Sequence, residues 1–131
     1  MKSRYVLIGA LLAAVSFTAQ AEVCALSTQT EITICTVREY NKAEKRINSL
    51  YKGISARLSL EERAILKKSE LAWIKYKDTT CESEASEYEG GSMQPMVRNQ
   101  CLTRVTNARI KWLQDNYYVR WAGIHARQSN A

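Results

Sequence analysis

The chain has 131 residues, 19 Lys and Arg against 13 Asp and Glu, a formal charge of +6, and a 46% share of hydrophobic side chains. That length fits one domain with one core. A single proline and five glycines, none of them in an Asn-Gly or Asp-Gly pair, exclude a hairpin-rich β fold and leave long helices as the natural architecture.

The first segment reads as an export signal. Met1 to Arg4 carries two positive charges, Tyr5 to Phe17 is an uncharged apolar run, and Ala19-Gln20-Ala21 supplies a small-x-small cleavage pattern. The run is about 13 residues, short of the roughly 20 that a bilayer span needs, and no later segment is apolar enough to replace it. Cleavage after Ala21 defines residues 1–21 as the signal and 22–131 as one mature domain with a polar tail from Gly123. The signal takes two basic side chains with it and lowers the formal charge from +6 to +4. Ala21-Glu22-Val23 lacks the small apolar run that precedes a lipid-modified cysteine, so the expected address is the periplasm or the exterior, without a lipid anchor.

Three helices follow in order. From about Thr30 to Leu58, the side chains Tyr40, Ala43, Ile47, Leu50, Tyr51, Ile54 and Leu58 fall three or four apart, as on one face of an amphipathic helix. Ser59-Leu60-Glu61-Glu62 is a capping box that starts a second helix. This helix runs to about Tyr88, with Leu71, Ile74, Cys81, Ala85 and Tyr88 on its inner face, and stops at Gly90-Gly91. Ser92 caps a third helix with Pro95 in its first turn, and Val97, Cys101, Val105, Ala108 and Trp112 continue its stripe. Tyr117, Tyr118 and Trp121 form a late aromatic group expected to pack in the core.

The cysteines test this layout independently. Export brings Cys24, Cys35, Cys81 and Cys101 into an oxidising compartment, where disulfides are the expected state. Cys81 and Cys101 are centred on Gly91, so an antiparallel hairpin of helices two and three sets them level. Cys24 and Cys35 then tie the mature N-terminus to the first helix. Four cysteines allow three connectivities, and spacing alone does not exclude the other two. The expected fold is an all-α bundle of three long helices stapled by two disulfides.

Catalytic chemistry lacks a constellation. The lone His125 lies where helical patterning fades, and C-x10-C and C-x19-C are not zinc-ligand spacings. Neither a nucleophile–base set nor one carboxylate pair is singled out, and Gly90-Gly91-Ser92 is read as a turn and helix cap rather than an anion cradle. No cofactor and no metal are expected. Nucleic acid is not an expected partner, because no recognition motif is present and export removes it. Asp78 shares a face with Ile74 and Cys81, which turns it toward the hairpin seam; the register places it nearest Arg104, with Arg109 further along. Glu82, Glu84, Glu87 and Glu89 gather at the closed end of the hairpin, while Lys42, Lys45, Arg46, Lys52, Lys67, Lys68, Lys75 and Lys77 spread positive charge elsewhere.

The run from Trp73 through Tyr76, Lys77 and Asp78 to Cys81, then Gly90-Gly91-Ser92, then Cys101 followed by Thr106, Arg109 and Leu113, resembles the lysozyme inhibitor LprI-like family. The match extends from about Cys24 to Leu113. The resemblance implies a small exported helical domain of bacterial envelopes, with lysozyme or another cell-wall hydrolase as the partner. Its motif residues read as architectural: Trp73 for packing, Asp78 and Arg109 for buried polar pairing, Gly90 and Gly91 for the turn. The expected function is a non-enzymatic binding protein that uses the hairpin tip, where the Glu82 to Glu89 cluster would meet a basic hydrolase; the other mode left open is a basic side chain entering the hydrolase cleft against its two catalytic carboxylates. The alternative is an envelope adaptor that holds another exported protein or an anionic wall polymer on its basic faces.

Overall fold

Two capping boxes open the two longest helices of the computed structural model, which describes residues 24 and 28–118. Thr28 accepts from the Glu31 amide while the Glu31 carboxylate takes the Thr28 amide, and α1 runs from Gln29–Ser55. Ser59 and Glu62 repeat the arrangement at the start of α2, Leu60–Ser86. Each box satisfies amides that a helix start otherwise leaves orphaned, worth about 1 kcal/mol per cap. The short α1–α2 connection is closed by Arg63, whose guanidinium donates to the carbonyls of Ser55 and Leu58.

After α2 the chain turns through Gly90, the one residue of the described chain with positive φ, at 76°. A side chain there would add left-handed strain, which explains glycine at this corner. The third helix, α3, spans Gln94–Leu113 and begins differently from expectation. Met93 is its N-cap, no side chain caps it, and Pro95 sits in the first turn. Ser92 is therefore not the cap: the chain is still in the turn at that residue. A π-helical turn over Gln114–Tyr118 follows, where Trp112 and Tyr117 meet edge to face at 6.1 Å.

The helices form an up-down-up bundle. Helix α3 lies along both α1 and α2. It runs parallel to α1, since Gln29 at the start of one reaches Met96 at the start of the other. It runs antiparallel to α2, as the Cys81–Cys101 disulfide requires. The second bridge joins Cys24 to Cys35, so both expected pairings are present. At about 1.5 Å per residue the two long helices extend roughly 40 Å each.

The core has two apolar layers with a polar band between them. Ile47, Ile54, Leu66, Ile110 and Leu113 form the larger layer, with Trp73 packed on it; Cys81, Cys101 and Leu102 form the smaller, backed by Tyr40 and Val105. Lys77 and Thr106 are also buried. The inner face of α2 is thus Leu66, Glu70, Trp73, Lys77, Cys81 and Ala85. This displaces the expected face: Leu71, Ile74 and Tyr88 are exposed. In α3 the buried set is Cys101, Leu102, Thr106, Ile110 and Leu113, whereas Ala108 and Trp112 face outward.

Candidate functional site

The polar band explains why the sequence motif contains charged residues. Lys77, read from the sequence as part of the basic surface, is only 8% exposed. Its four-carbon stem lies in the bundle while Nζ donates to the Tyr40 hydroxyl at 3.0 Å and lies 5.3 Å from the Trp73 ring centroid. Burial alone pulls the Lys77 pKa down. The hydrogen bond to Tyr40 and the charges of Tyr40, Asp78 and Glu44 more than offset it, so the pKa lies above the ordinary lysine value and the group is an ammonium at neutral pH.

Asp78 does not enter the helix seam. Its side chain is 55% exposed and lies 3.7 Å from Lys77, while Arg104 pairs instead with Glu84 at 2.5 Å on the surface. The physical reason is stem length. A buried lysine stem contributes apolar contact and still brings its charge to polar partners, whereas a short aspartate turned inward would bury its carboxylate outright. Arg109 does fill the buried polar role, with a different partner. Its Nε and Nη2 donate to Glu70 Oε2 at 3.2 and 3.1 Å, and Nη2 also reaches Ser69 Oγ at 2.9 Å. The guanidinium lies 4.4 Å from the Trp112 ring centroid and 5.9 Å from that of Trp73. Thr106 is buried, and Tyr76 is exposed.

Glu70, Ser69 and Tyr40 were the unrecognised members of this cluster. For Glu70 the signal lay in its spacing with Trp73, Lys77 and Cys81, four positions on one face of α2 with the disulfide cysteine at the end; that spacing does not point to Ser69 or to Tyr40 on α1.

At the other end of α2 the charge pattern is unusual for a helix. Its last turn holds no basic residue, and Glu82, Glu84, Glu87 and Glu89 are all exposed. Carboxylates there face the negative end of the helix dipole, a placement that costs a few tenths to about 1 kcal/mol per group at low salt. Glu84 is matched by Arg104; Glu82, Glu87 and Glu89 have no cationic partner among the described residues. The tip of the hairpin is thus a focus of negative potential on a chain of net positive charge. Along α1 and α3 a groove of about 910 Å³ is walled by Lys42, Arg46, Arg104 and Lys111; Lys42, Arg104 and Lys111 are paired with Glu39, Glu84 and Asp115, which leaves Arg46 as its unmatched cation among the described residues.

These features define a three-helix bundle stapled by two disulfides, with unmatched carboxylates at the tip of its α2–α3 hairpin. The chain belongs to the lysozyme inhibitor LprI family, whose profile it matches over residues 22–113. It is also 30% identical over 100 residues to an uncharacterized protein of Rhizobium meliloti (strain 1021), covering 66% of this chain and 72% of the relative. No solved structure matches the chain. The residues proposed as signal peptide, together with Trp121, the polar tail and His125, lie outside the described residues. None of the described helices is long and apolar enough to cross a membrane.

Proposed function

We propose that this protein is an exported, non-enzymatic binding protein that inhibits lysozyme or another basic peptidoglycan-cleaving hydrolase through the acidic tip of its α2–α3 hairpin. Membership of the lysozyme inhibitor family supports the class of target. The observation that carries the surface is the tip itself: three exposed glutamates without cationic partners, at a helix end where negative charge is a local cost. A cationic partner converts that cost into steering and into complementary contact. The disulfide between Cys81 and Cys101 ties α2 to α3 below the tip, which restricts the hairpin and lowers the ordering cost of binding.

The test is a lysis assay with a basic lysozyme and the oxidised mature protein. Inhibition is expected, and Glu87→Lys with Glu89→Lys weakens it by at least tenfold. Those substitutions relieve repulsion at the helix end, so the variant is at least as stable as the parent and loss of inhibition cannot be assigned to unfolding. Absence of inhibition at a large molar excess of the parent removes the reading.

The α1–α3 groove favours a second reading, an adaptor that holds an anionic wall polymer or another exported protein. Arg46 and Lys45 have no acidic partner among the described residues and border the groove or its continuation. Salt-sensitive retention on wall polymer, abolished by Arg46→Glu and accompanied by no effect on lysozyme, selects this reading over the first.

A further inference from the structure

The outer face of α1 is a straight row of unmatched positive charge. Arg38, Lys45 and Lys52 follow one another at seven-residue intervals, all exposed. Seven residues are two helical turns less about 20°, so the three side chains leave one side of the helix within roughly 40° of each other, over about 21 Å. The buried residues of α1, Cys35, Thr36, Ala43, Ile47 and Ile54, lie on the opposite side. None of the three cations has an acidic partner among the described residues. The carboxylates of α1 stand elsewhere: Glu31 serves the capping box, Glu39 pairs with Lys42, and Glu44 lines the cleft between α1 and α2, across from Leu71 and Ile74.

Ile34 begins the row. It stands 18 residues before Lys52, five full helical turns, so it shares that residue's angular position, and it is 55% exposed. Val37, one turn on and 41% exposed, adds apolar surface at the same end. Charge and apolar surface together separate the anionic partners. A hydrated polyanion in solution rewards the cations alone. A bilayer surface with anionic headgroups rewards both, because cations gather at its negative potential while apolar side chains enter the boundary between headgroups and acyl chains. A straight helix also brings every charge of the row to a plane at once, whereas a flexible polymer must be ordered along it. We propose that α1 docks by this face on a phospholipid surface containing anionic headgroups, with its axis along the surface and Ile34 and Val37 inserted. The acidic hairpin tip takes no part in this contact, so the proposal does not depend on hydrolase inhibition.

The experiment floats the oxidised mature protein with vesicles of equal parts phosphatidylcholine and phosphatidylglycerol, and with vesicles of phosphatidylcholine alone, at low and high salt. Association with the mixed vesicles is expected at low salt, with little on phosphatidylcholine alone and a marked loss at high salt. Replacing Arg38, Lys45 and Lys52 together by glutamine weakens it about a hundredfold, since each cation near such a surface contributes about fivefold. Ile34→Ser weakens it about fivefold through lost apolar burial. All four positions are exposed, so the losses come at a nearly unchanged thermal midpoint and report the surface rather than the fold. Arg46 keeps its charge in the triple variant, so retention on wall polymer through the α1–α3 groove is scored separately. The proposal is overturned if the mixed vesicles are not bound, or if the triple variant binds them as well as the parent. Equal binding by Ile34→Ser also overturns it, because the row would then be a charge-only site suited to a soluble polyanion.

Discussion

Replacing Arg109 by leucine tests whether the polar cluster on Trp73 holds α2 to α3. The side chains of Arg109 and Glu70 are 10% and 12% exposed, and their ion pair joins residues 39 apart in the chain. Removing one partner of such a pair strands the other charge in a poorly solvated place, at a cost of about 3 kcal/mol. The guanidinium also leaves the faces of Trp112 and Trp73, which adds about 0.5–1 kcal/mol. A total near 3–4 kcal/mol is a large part of the ~5–15 kcal/mol that holds a small domain folded, and corresponds to a fall in Tm of roughly 12–16 °C. Urea unfolding of the oxidised protein, followed by far-ultraviolet circular dichroism, measures it. Glu70→Met combined with Arg109→Leu removes both charges and fills the space with apolar atoms, so it recovers most of the loss. A cost below about 1 kcal/mol for the single change, or a double variant no more stable than the single one, would refute the reasoning: the pair would then be solvated in practice.

The two disulfides differ in expected weight. In the chain-entropy account, opening the 20-residue Cys81–Cys101 loop costs about 3 kcal/mol and the 11-residue Cys24–Cys35 loop slightly less. Cys81 and Cys101 are moreover fully buried, so their replacement by alanine also leaves a cavity. Paired alanine substitutions compared by thermal unfolding should therefore rank the 81–101 variant as the less stable; the reverse order contradicts this account of the core. Lys77 makes a pH-dependent contribution. Its pKa is raised in the folded state, so the stabilisation from its charge is complete below the unfolded value of about 10.4 and is lost as pH rises through the folded one. The stability gap between the parent and Lys77→Met should be constant from pH 7 to 9 and shift toward the variant above pH ~10. Urea titrations across that range check it, and a gap that already changes between pH 7 and 9 counts against the assignment.

Legibility in the sequence followed the kind of signal each element carries. Capping chemistry is local, and Ser59 with Glu62 located the start of α2 to the residue; Thr28 and Glu31 form the same box and were equally readable. Symmetry about a turn is also local arithmetic, which is why the centring of Cys81 and Cys101 on Gly91 placed the hairpin register. The buried face of α2 was different, because apolar periodicity points to the face richest in apolar residues, and here that face is not the buried one. Ile74 and Leu71 sit on the rim of the α1–α2 cleft, whereas Glu70 and Lys77 go inside with Trp73 between them. A charged residue is buried only where a partner from another helix waits, and the partners are 39 residues away for Glu70 and 37 for Lys77. No window along α2 contains that information. Anchoring the helix at Cys81, which its disulfide must place in the seam, and stepping back by four and three would have reached Lys77, Trp73, Glu70 and Leu66 without regard to polarity. The acidic tip was legible as charge but not as accessible charge: that Glu84 is matched by Arg104 while Glu82, Glu87 and Glu89 are not depends on the rotation of α3 against α2. The residues that break the apolar pattern are therefore the ones that tie the helices together, and the apolar residues they displace from the core are left lining a cleft.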